Sequence, residues 1–143
     1  MKLRKWLYSS FLAFAATFMF AHSASAASAA YGSSTVAPTI YTKNYWYNST
    51  YPVVGNPPST GKIGLVYYSY SYSPRPAGLQ VYLCKSTGYT CKDITNFGSG
   101  SVNFTNDNVA ANQALGIFVR VNGTGTMSPA YGSTTNITVN YTY

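Results

Sequence analysis

Apolar and polar residues alternate along four segments of the chain from residue 62 onward. In the first segment Ile63, Leu65 and Tyr67 lie on one face, and Val66 lies on the other with Gly64 and three further tyrosines. A period of two is typical of a β-strand with one buried face. The same alternation recurs in three later segments, at residues 79–83, 115–121 and 137–143.

The segments between these strands are rich in Gly, Asn and Pro, which are the residues that tight turns use. No sustained helical spacing occurs after residue 26. Six to eight short strands in a single domain indicate an all-β fold. We therefore predict a small antiparallel β-sandwich, or a partly open barrel, with one disulfide across a hairpin.

The first 26 residues have the pattern of a cleaved secretory signal peptide. Lys2, Arg4 and Lys5 are followed by an apolar stretch at 7–21 and by small residues that end at Ala26. The apolar stretch is shorter than the roughly 20 residues that span a bilayer. We expect an exported protein, with no membrane span left after cleavage behind Ala26 or, alternatively, behind Ala29.

The rest of the chain divides into two parts by composition. Residues 27–60 are rich in Ser, Thr, Ala and Pro around an aromatic knot at 45–47, and we expect this segment to be partly ordered. Residues 61–143 hold the four alternating segments and are expected to form the sandwich core.

Residues 27–143 contain no histidine and no glutamate, and their only carboxylate side chains are those of Asp93 and Asp107. General acid–base catalysis and nucleophilic triads depend on such groups. The composition therefore predicts a protein that is not an enzyme and that holds no cofactor and no metal. A calcium loop at residues 106–108 would need more carboxylates than the segment has, so a polar turn is expected there. The basic residues are scattered singly, unlike the stripe of a nucleic-acid-binding protein.

Two cysteines in an exported chain indicate a disulfide. Cys84 and Cys91 enclose six residues that include Gly88, between segments that resemble the two arms of a hairpin. A redox-active pair would favour the Cys-x-x-Cys spacing, which is absent here. We predict a structural bridge between Cys84 and Cys91.

Aromatic residues supply the candidate binding site. Tyr68, Tyr70 and Tyr72 fall on one face of the first alternating segment, with Arg75 close behind. Tyrosine and arginine are enriched at protein interfaces, and tyrosine rings also stack on sugars. This face is the predicted contact surface if it is exposed, whereas a face turned toward a second sheet would make these tyrosines part of the core. Trp46 carries the same two interpretations, a core residue or a ligand platform.

Residues 76–84 read Pro-Ala-Gly-Leu-Gln-Val-Tyr-Leu-Cys and are soon followed by Cys91. This block resembles a signature of the flagellar protein FlhE family, and the likeness continues through 114–121 and 137–141. It covers about residues 61–141. The resemblance implies a non-enzymatic, β-sandwich-like protein of the periplasm that is tied to flagellar assembly and swarming. It further implies a part in limiting leakage through the flagellar export apparatus and a protein partner in the cell envelope or the flagellum.

Two other classes of protein remain open on the sequence. The aromatic content without catalytic groups is also typical of a secreted carbohydrate-binding module, whose partner would be a carbohydrate. The alternation that runs from Ile137 to the end of the chain is typical of fimbrial or other surface-structure subunits, whose terminal strand a chaperone recognises.

Overall fold

The structure, a computed structural model, describes residues 25–143. The body of the predicted signal peptide, residues 1–24, lies outside the described residues. Eight β-strands make up the fold: β1 Ser28–Val36, β2 Tyr47–Thr50, β3 Lys62–Ser69, β4 Leu79–Lys85, β5 Cys91–Asp93, β6 Ser99–Asn103, β7 Leu115–Val121 and β8 Thr134–Thr142. In the described part of the chain, no helix has the length and apolar character that crossing a membrane requires.

The strands form two four-stranded sheets, in the order β1-β8-β3-β6 and β2-β7-β4-β5. Every pair of neighbouring strands is antiparallel. Their inner faces enclose one apolar core, to which both sheets contribute. The predicted all-β sandwich is confirmed, and since each sheet keeps two edge strands the molecule is not a closed barrel.

The core follows the predicted alternation on β4 and β7, which pair along their full lengths. Val81 and Val119 lie directly opposite each other, and both are fully buried. The side chains between the buried positions, such as Tyr82 and Phe118, point to the outer face of the second sheet and remain partly exposed. Because these strands lie at the centre of the second sheet, their outer face offers a firm surface.

The alternation fails at one point in β3. Ile63 pairs with Tyr141 and Val66 pairs with Val139, so β3 carries one more residue than β8 between these pairs. This β-bulge turns both Ile63 and Val66 into the core, where they are 1% and 0% exposed. The expectation that Ile63 and Val66 lie on opposite faces is wrong, because the extra residue shifts the phase of the strand.

Residues 27–60 contribute one strand to each sheet. β1 pairs with β8 along all nine of its residues, and Ala27 continues the ladder by exchanging backbone hydrogen bonds of 2.9 and 2.8 Å with Tyr143. β2 pairs with β7. The compositional boundary at residue 60 therefore does not separate a core from an appendage.

Candidate functional site

The three tyrosines predicted as a contact surface face the core. Tyr68, Tyr70 and Tyr72 are 8%, 5% and 6% exposed. The inward-facing interpretation is therefore the correct one, because the second sheet covers this face. The exposed tyrosine of this strand is Tyr67, which is 52% exposed on the opposite face.

The hydroxyl groups of two of these tyrosines bind loop carbonyls. Tyr72 donates to Pro38 O at 2.6 Å, and Tyr70 Oη lies 2.8 Å from Ile94 O and 3.0 Å from Thr95 O. Burial raises the pKa of Tyr72 and, less strongly, that of Tyr68, so both rings stay neutral. These side chains fasten loops to the end of the sandwich and offer no open surface to a partner.

Arg75 acts at the same end of the molecule. Its guanidinium donates to the backbone oxygen of Thr95 and lies 3.4 Å from Tyr70 Oη. The arginine is exposed, but its donors are directed toward the loop that follows β5. The predicted grouping of Arg75 with the tyrosine face is present, although it is a structural contact.

Trp46 is a predicted site residue that the structure leaves partly exposed. It precedes β2, is 42% exposed and packs edge-on against Tyr82 with ring centroids 5.5 Å apart. The guanidinium carbon of Arg120 stands 4.7 Å from the centre of the indole ring, which is a cation–π contact. These two neighbours hold the indole in one orientation.

A groove of about 420 Å³ opens beside this tryptophan on the outer face of the second sheet. We call it the aromatic groove. Its lining consists of Trp46, Tyr82, Cys84, Gly88, Cys91 and Phe118. Pockets of this volume, lined mainly by aromatic and apolar groups, are typical of ligand sites.

The predicted disulfide is part of the lining of the aromatic groove. Cys84 on β4 lies opposite Cys91 on β5, and their sulfur atoms are 2.08 Å apart, which confirms the bridge. Cys84 is buried and Cys91 is exposed, so the bridge reaches the surface at the side of the hairpin. In the described residues neither cysteine is free.

The register of β4 and β7 brings the aromatic rings together. Tyr82 pairs with Phe118, and the next outward pair is Cys84 with Gly116. A Cβ atom at Gly116 would stand 3.1 Å from the Phe118 ring and 3.2 Å from Ser49 O, so a larger residue there would require its neighbours to shift by a few tenths of an ångström. Sequence reasoning missed Tyr82 and Phe118, although both occupy the outward positions of the predicted strands and were detectable as aromatics where polar residues are usual.

Polar side chains occupy the next outward positions of the same strands, outside the lining of the aromatic groove. Gln80 pairs with Arg120, and Arg120 Nη2 donates to Gln80 Oε1 at 3.0 Å. Arg120 Nε is buried without a hydrogen-bond partner among the described residues. The nearest carboxylate on this face, Asp93 opposite Tyr82, accepts the backbone N–H of Thr95 at 2.9 Å. The outer face of the second sheet thus combines aromatic rings with a hydrogen-bonded Gln80–Arg120 pair and one exposed carboxylate.

Residues 25–143 hold no group of three or more His, Cys, Asp or Glu side chains that could bind a metal ion. The turn at 106–108, considered as a calcium loop, instead directs Asp107 toward Lys92, with Nζ and Oδ2 2.6 Å apart. The same ammonium lies 5.4 Å from the centre of the Phe104 ring. This ion pair joins β5 to the loop that precedes β7.

A second exposed aromatic group adjoins Trp46, and we call it the tyrosine cluster: Tyr41, Tyr45 and Tyr47. The ring centroids of Tyr45 and Tyr41 lie 5.6 and 6.4 Å from that of Tyr47. Tyr47 Oη lies 2.8 Å from the hydroxyl of Thr42, which lowers the pKa of this tyrosine. Tyr41 and Tyr45 are 58% and 65% exposed, so the cluster presents aromatic surface to solvent.

Two antiparallel sheets, a cross-strand disulfide and an open aromatic surface define a small β-sandwich domain suited to binding. The family model "Flagellar protein FlhE" matches residues 30–142, and the chain belongs to this family. The resemblance predicted from the sequence is thus confirmed, and the match extends over β1 and β2 as well.

The chain is also similar to a solved structure described as "Crystal Structure of FLHE". The TM-score is 0.69 and the sequence identity 24%, and the match covers 81% of this chain and 98% of that one. At this identity the likeness shows a shared fold. No curated protein matches the chain.

Proposed function

We propose that this protein is an exported, non-catalytic accessory protein of the bacterial flagellum that works by docking on a protein partner in the cell envelope. The observation that carries the proposal is the family match, which spans seven of the eight strands in full and most of β1. We expect such an accessory protein to act during assembly of the flagellum or export of its subunits. Swarming requires working flagella, so it should depend on this protein.

The docking surface we assign is the tyrosine cluster. Tyr41 and Tyr45 are exposed aromatics with hydroxyl groups, which give contact area at low entropic cost. Lys43, between them in sequence, donates to Thr124 O at 2.7 Å, and Asn44 Nδ2 donates to Gly123 O at 2.7 Å. These bonds hold the loop against the end of β7, so the tyrosines are ordered before a partner arrives.

The export part of the proposal rests on the signal-like residues 1–26 and on the start of the β1 ladder. Cleavage after Ala26 leaves Ala27 free to make its two bonds to Tyr143, whereas cleavage after Ala29 would remove them. We therefore expect the mature protein to begin at Ala27. Mass spectrometry of the protein recovered from the periplasm tests this, and a mature chain beginning at Ala30 would contradict it.

The proposal that the protein is not a catalyst rests on its composition and on the contacts of its two aspartates. The sequence has no glutamate, and Asp93 and Asp107 are each engaged by neighbouring groups of the chain. General acid–base catalysis needs a group within reach of a substrate proton. Neither carboxylate lines the aromatic groove or belongs to the tyrosine cluster.

The test is deletion of the gene in a flagellated host, followed by complementation. The wild-type gene should restore swarming and limit leakage through the export apparatus, and a Tyr41→Ala/Tyr45→Ala double variant should not. A Phe97→Ala variant, which removes an exposed aromatic that is not part of the cluster, is the matched control. Normal swarming and normal leakage in the deletion strain would contradict the proposed function.

A photo-crosslinking amino acid at Tyr45 tests the docking surface separately. It should capture an envelope or flagellar protein, while the same amino acid at Phe97 should not. Equal capture from both positions would overturn the assignment of the tyrosine cluster.

A further inference from the structure

We propose that β1 pairs with β1 of a second copy of this chain, so that two sandwiches join their first sheets edge to edge around a two-fold axis at Gly32. The inference goes beyond the proposed function and does not depend on it, because it rests on residues 28–36 and not on the tyrosine cluster. Four properties of the strand carry it: its length, its free backbone groups, its lack of charge and the glycine at its centre.

The first property is the length of an edge strand. The first sheet has the order β1-β8-β3-β6, so β8 is the one neighbour of β1 in its sheet. β1 has nine residues, whereas the other edge strands, β6, β2 and β5, have five, four and three. A long edge strand presents a row of unpaired backbone groups to other chains. Among the strands of residues 25–143, β1 is therefore the edge best able to add a further strand.

The second property is the set of backbone groups left free by β8. Ala27 exchanges both of its hydrogen bonds with Tyr143, and Ala37 N donates to Ser133 O at 3.0 Å. The register between these points is continuous, and in an antiparallel ladder alternate residues bond to the same neighbour. The backbone groups that point away from β8 are those of Ser28, Ala30, Gly32, Ser34 and Val36. In the described part of the chain, no backbone hydrogen bond outside the ladder engages them.

The third property is that β1 lacks the features that keep an edge strand unpaired. Natural proteins protect such edges with charged residues, prolines and β-bulges. β1 contains no charged residue and no proline, and its register with β8 has no shift. The edge strand β5, by contrast, carries Lys92 and Asp93. Two copies of β1 can therefore meet without bringing like charges together.

The fourth property is the glycine at the centre of the strand. The φ of Gly32 lies outside the left-handed region, and a Cβ atom there would meet only Ile137 O, at an ordinary distance of 4.0 Å. The fold of a single copy therefore does not require glycine at this position. Glycine weakens the interior of a strand, and it often marks a place where another backbone approaches closely.

The position of this glycine favours a second copy as the occupant of the edge. Since Gly32 is the middle residue of Ser28–Val36, only antiparallel pairing around it makes two copies of β1 overlap along their full lengths. Gly32 then lies opposite Gly32 of the second copy, Ala30 opposite Ser34, and Ser28 opposite Val36. Each of these pairs joins residues whose backbone groups are free, so each pair can exchange two hydrogen bonds. Both copies use the same edge, so assembly closes at two.

The surroundings of β1 leave its outward side open. Ser33 is buried, and its Oγ donates to Pro52 O at 2.6 Å, so the segment after β2 is held against the inward-facing side of the strand. A depression of about 430 Å³ is lined by Gly32 and Val54, among other residues. Val54 and Val36, at the end of β1, are large apolar side chains that are 46% and 61% exposed. A second copy beside the strand would reduce that exposure, which adds a hydrophobic contribution to the pairing.

Sedimentation equilibrium of the protein without residues 1–26 tests the association. We expect a monomer–dimer equilibrium with a Kd on the order of 100 μM or tighter, because a single pair of strands makes a small interface. Ser34→Lys puts a charge on the edge of each copy and should weaken the dimer at least about tenfold. Ser101→Lys changes an exposed serine of β6, the other edge of the same sheet, and should leave the Kd unchanged. Ser34→Pro removes an outward N–H and should also weaken the dimer, which keeps the test valid if Ser34→Lys does not fold.

A short bis-maleimide tests the register. Gly32→Cys should crosslink to itself, because residue 32 lies on the two-fold axis. Ser28→Cys should not, because the two copies of residue 28 are separated by roughly 26 Å along the paired strands. A mixture of Ser28→Cys and Val36→Cys proteins should crosslink again, since these positions are opposite each other in the proposed dimer.

Three outcomes would overturn the proposal. The first is a monomer at every concentration up to about 1 mM, ten times the expected Kd. The second is an equal effect of Ser34→Lys and Ser101→Lys in variants that retain the native circular dichroism spectrum, or species larger than a dimer in the wild type. The third is crosslinking of Ser28→Cys to itself without crosslinking of Gly32→Cys.

Discussion

Tyr51 donates its phenolic hydrogen to Thr135 Oγ1 over 2.6 Å, and this bond joins the two sheets inside the core. Thr135 in turn donates to Ser69 O at 2.7 Å, so its oxygen is left to accept from Tyr51. Both side chains are almost fully buried, at 1% and 0% exposure. A connected chain of hydrogen bonds thus leads from the end of β2 across β8 to β3.

Removal of the Tyr51 hydroxyl should destabilise the fold. We expect Tyr51→Phe to lower the free energy of unfolding by about 1–3 kcal/mol, because it removes a hydrogen bond in a buried site. Urea denaturation measures the change. Combined with Thr135→Val, the double variant should lose less than the sum of the two single losses. Strict additivity would show that the two hydroxyls do not act together.

Because the pKa of Tyr51 is raised in the folded protein, we expect the free energy of unfolding to decrease at high pH. Burial raises the pKa of Tyr51 to about 12, against an ordinary value of 10.0, and the hydrogen bond with Thr135 offsets only part of the rise. Between these values the unfolded chain loses the proton while the folded chain keeps it. Stability is therefore complete below pH 10 and falls above it by up to about 1.4 kcal/mol per pH unit from this group.

Denaturation at pH 9 and pH 11 measures this dependence. Tyr51→Phe should show a shallower decrease than the wild type, although the raised pKa of Tyr72 leaves part of the slope in place. An identical slope in both proteins would contradict the assignment.

Tyr67 in β3 and Tyr70 just after its end can be compared to test which side chains of this segment face the core. Tyr70 is 5% exposed and Tyr67 is 52% exposed, although both are tyrosines of the same run. Tyr70→Ala should cost about 3–5 kcal/mol, as large aromatic truncations in a core do. Tyr67→Ala should cost about 0.5 kcal/mol or less. Equal losses in the two variants would refute the orientation of this strand.

Gly78 is required at the start of β4. Its φ is +80°, and a Cβ atom there would collide with the backbone oxygen of Asn122, whose N–H donates to Gly78 O at 2.9 Å. Gly55 has a φ of +74° with no atom within 4 Å of such a Cβ. Gly55→Ala should therefore lose about 1 kcal/mol from backbone strain alone, whereas Gly78→Ala should lose clearly more in thermal unfolding. A smaller loss at Gly78 would contradict this close approach.

The disulfide closes a short hairpin that backbone hydrogen bonds already define, including Lys85 N to Thr90 O at 2.9 Å. Chain entropy predicts a loss of about 2.5 kcal/mol for Cys84→Ser. Cys91→Ser should lose the same amount, and dithiothreitol should destabilise the wild type but neither variant. A wild type that is insensitive to the reductant after full reduction would show that the bridge adds nothing to stability.

Sequence reasoning succeeded where burial has a regular period. On β4 and β7, Leu, Val and Ile recur at alternate positions, and the structure buries those positions. β1 gave no such signal, because its inward positions include Ser33 and its outward positions include Ala30 and Gly32. Its place in the sheet is set by pairing with β8, which is a property of the whole fold.

The binding surface was predicted less well for a related reason. Period-two alternation shows that two sets of residues face opposite ways, but it does not show which set faces a second sheet. Tyr70 could therefore be assigned to either face until the packing of the sheets was known. The aromatic groove depends on the registers that bring Phe118 beside Tyr82 and Gly116 beside Cys84, and no local pattern determines those registers.

The pairing of β1 with β8 has a consequence for the order of folding. These are the first and last strands of residues 25–143, and they are hydrogen-bonded from Ser28–Thr142 to Val36–Thr134. β8 also lies between β1 and β3, so β1 has no neighbour in its sheet until the last strand arrives. Contacts that are so distant in sequence form late, because closing the longest loop costs the most chain entropy. A chain that emerges N-terminus first therefore leaves β1 without a partner in its sheet until β8 is free.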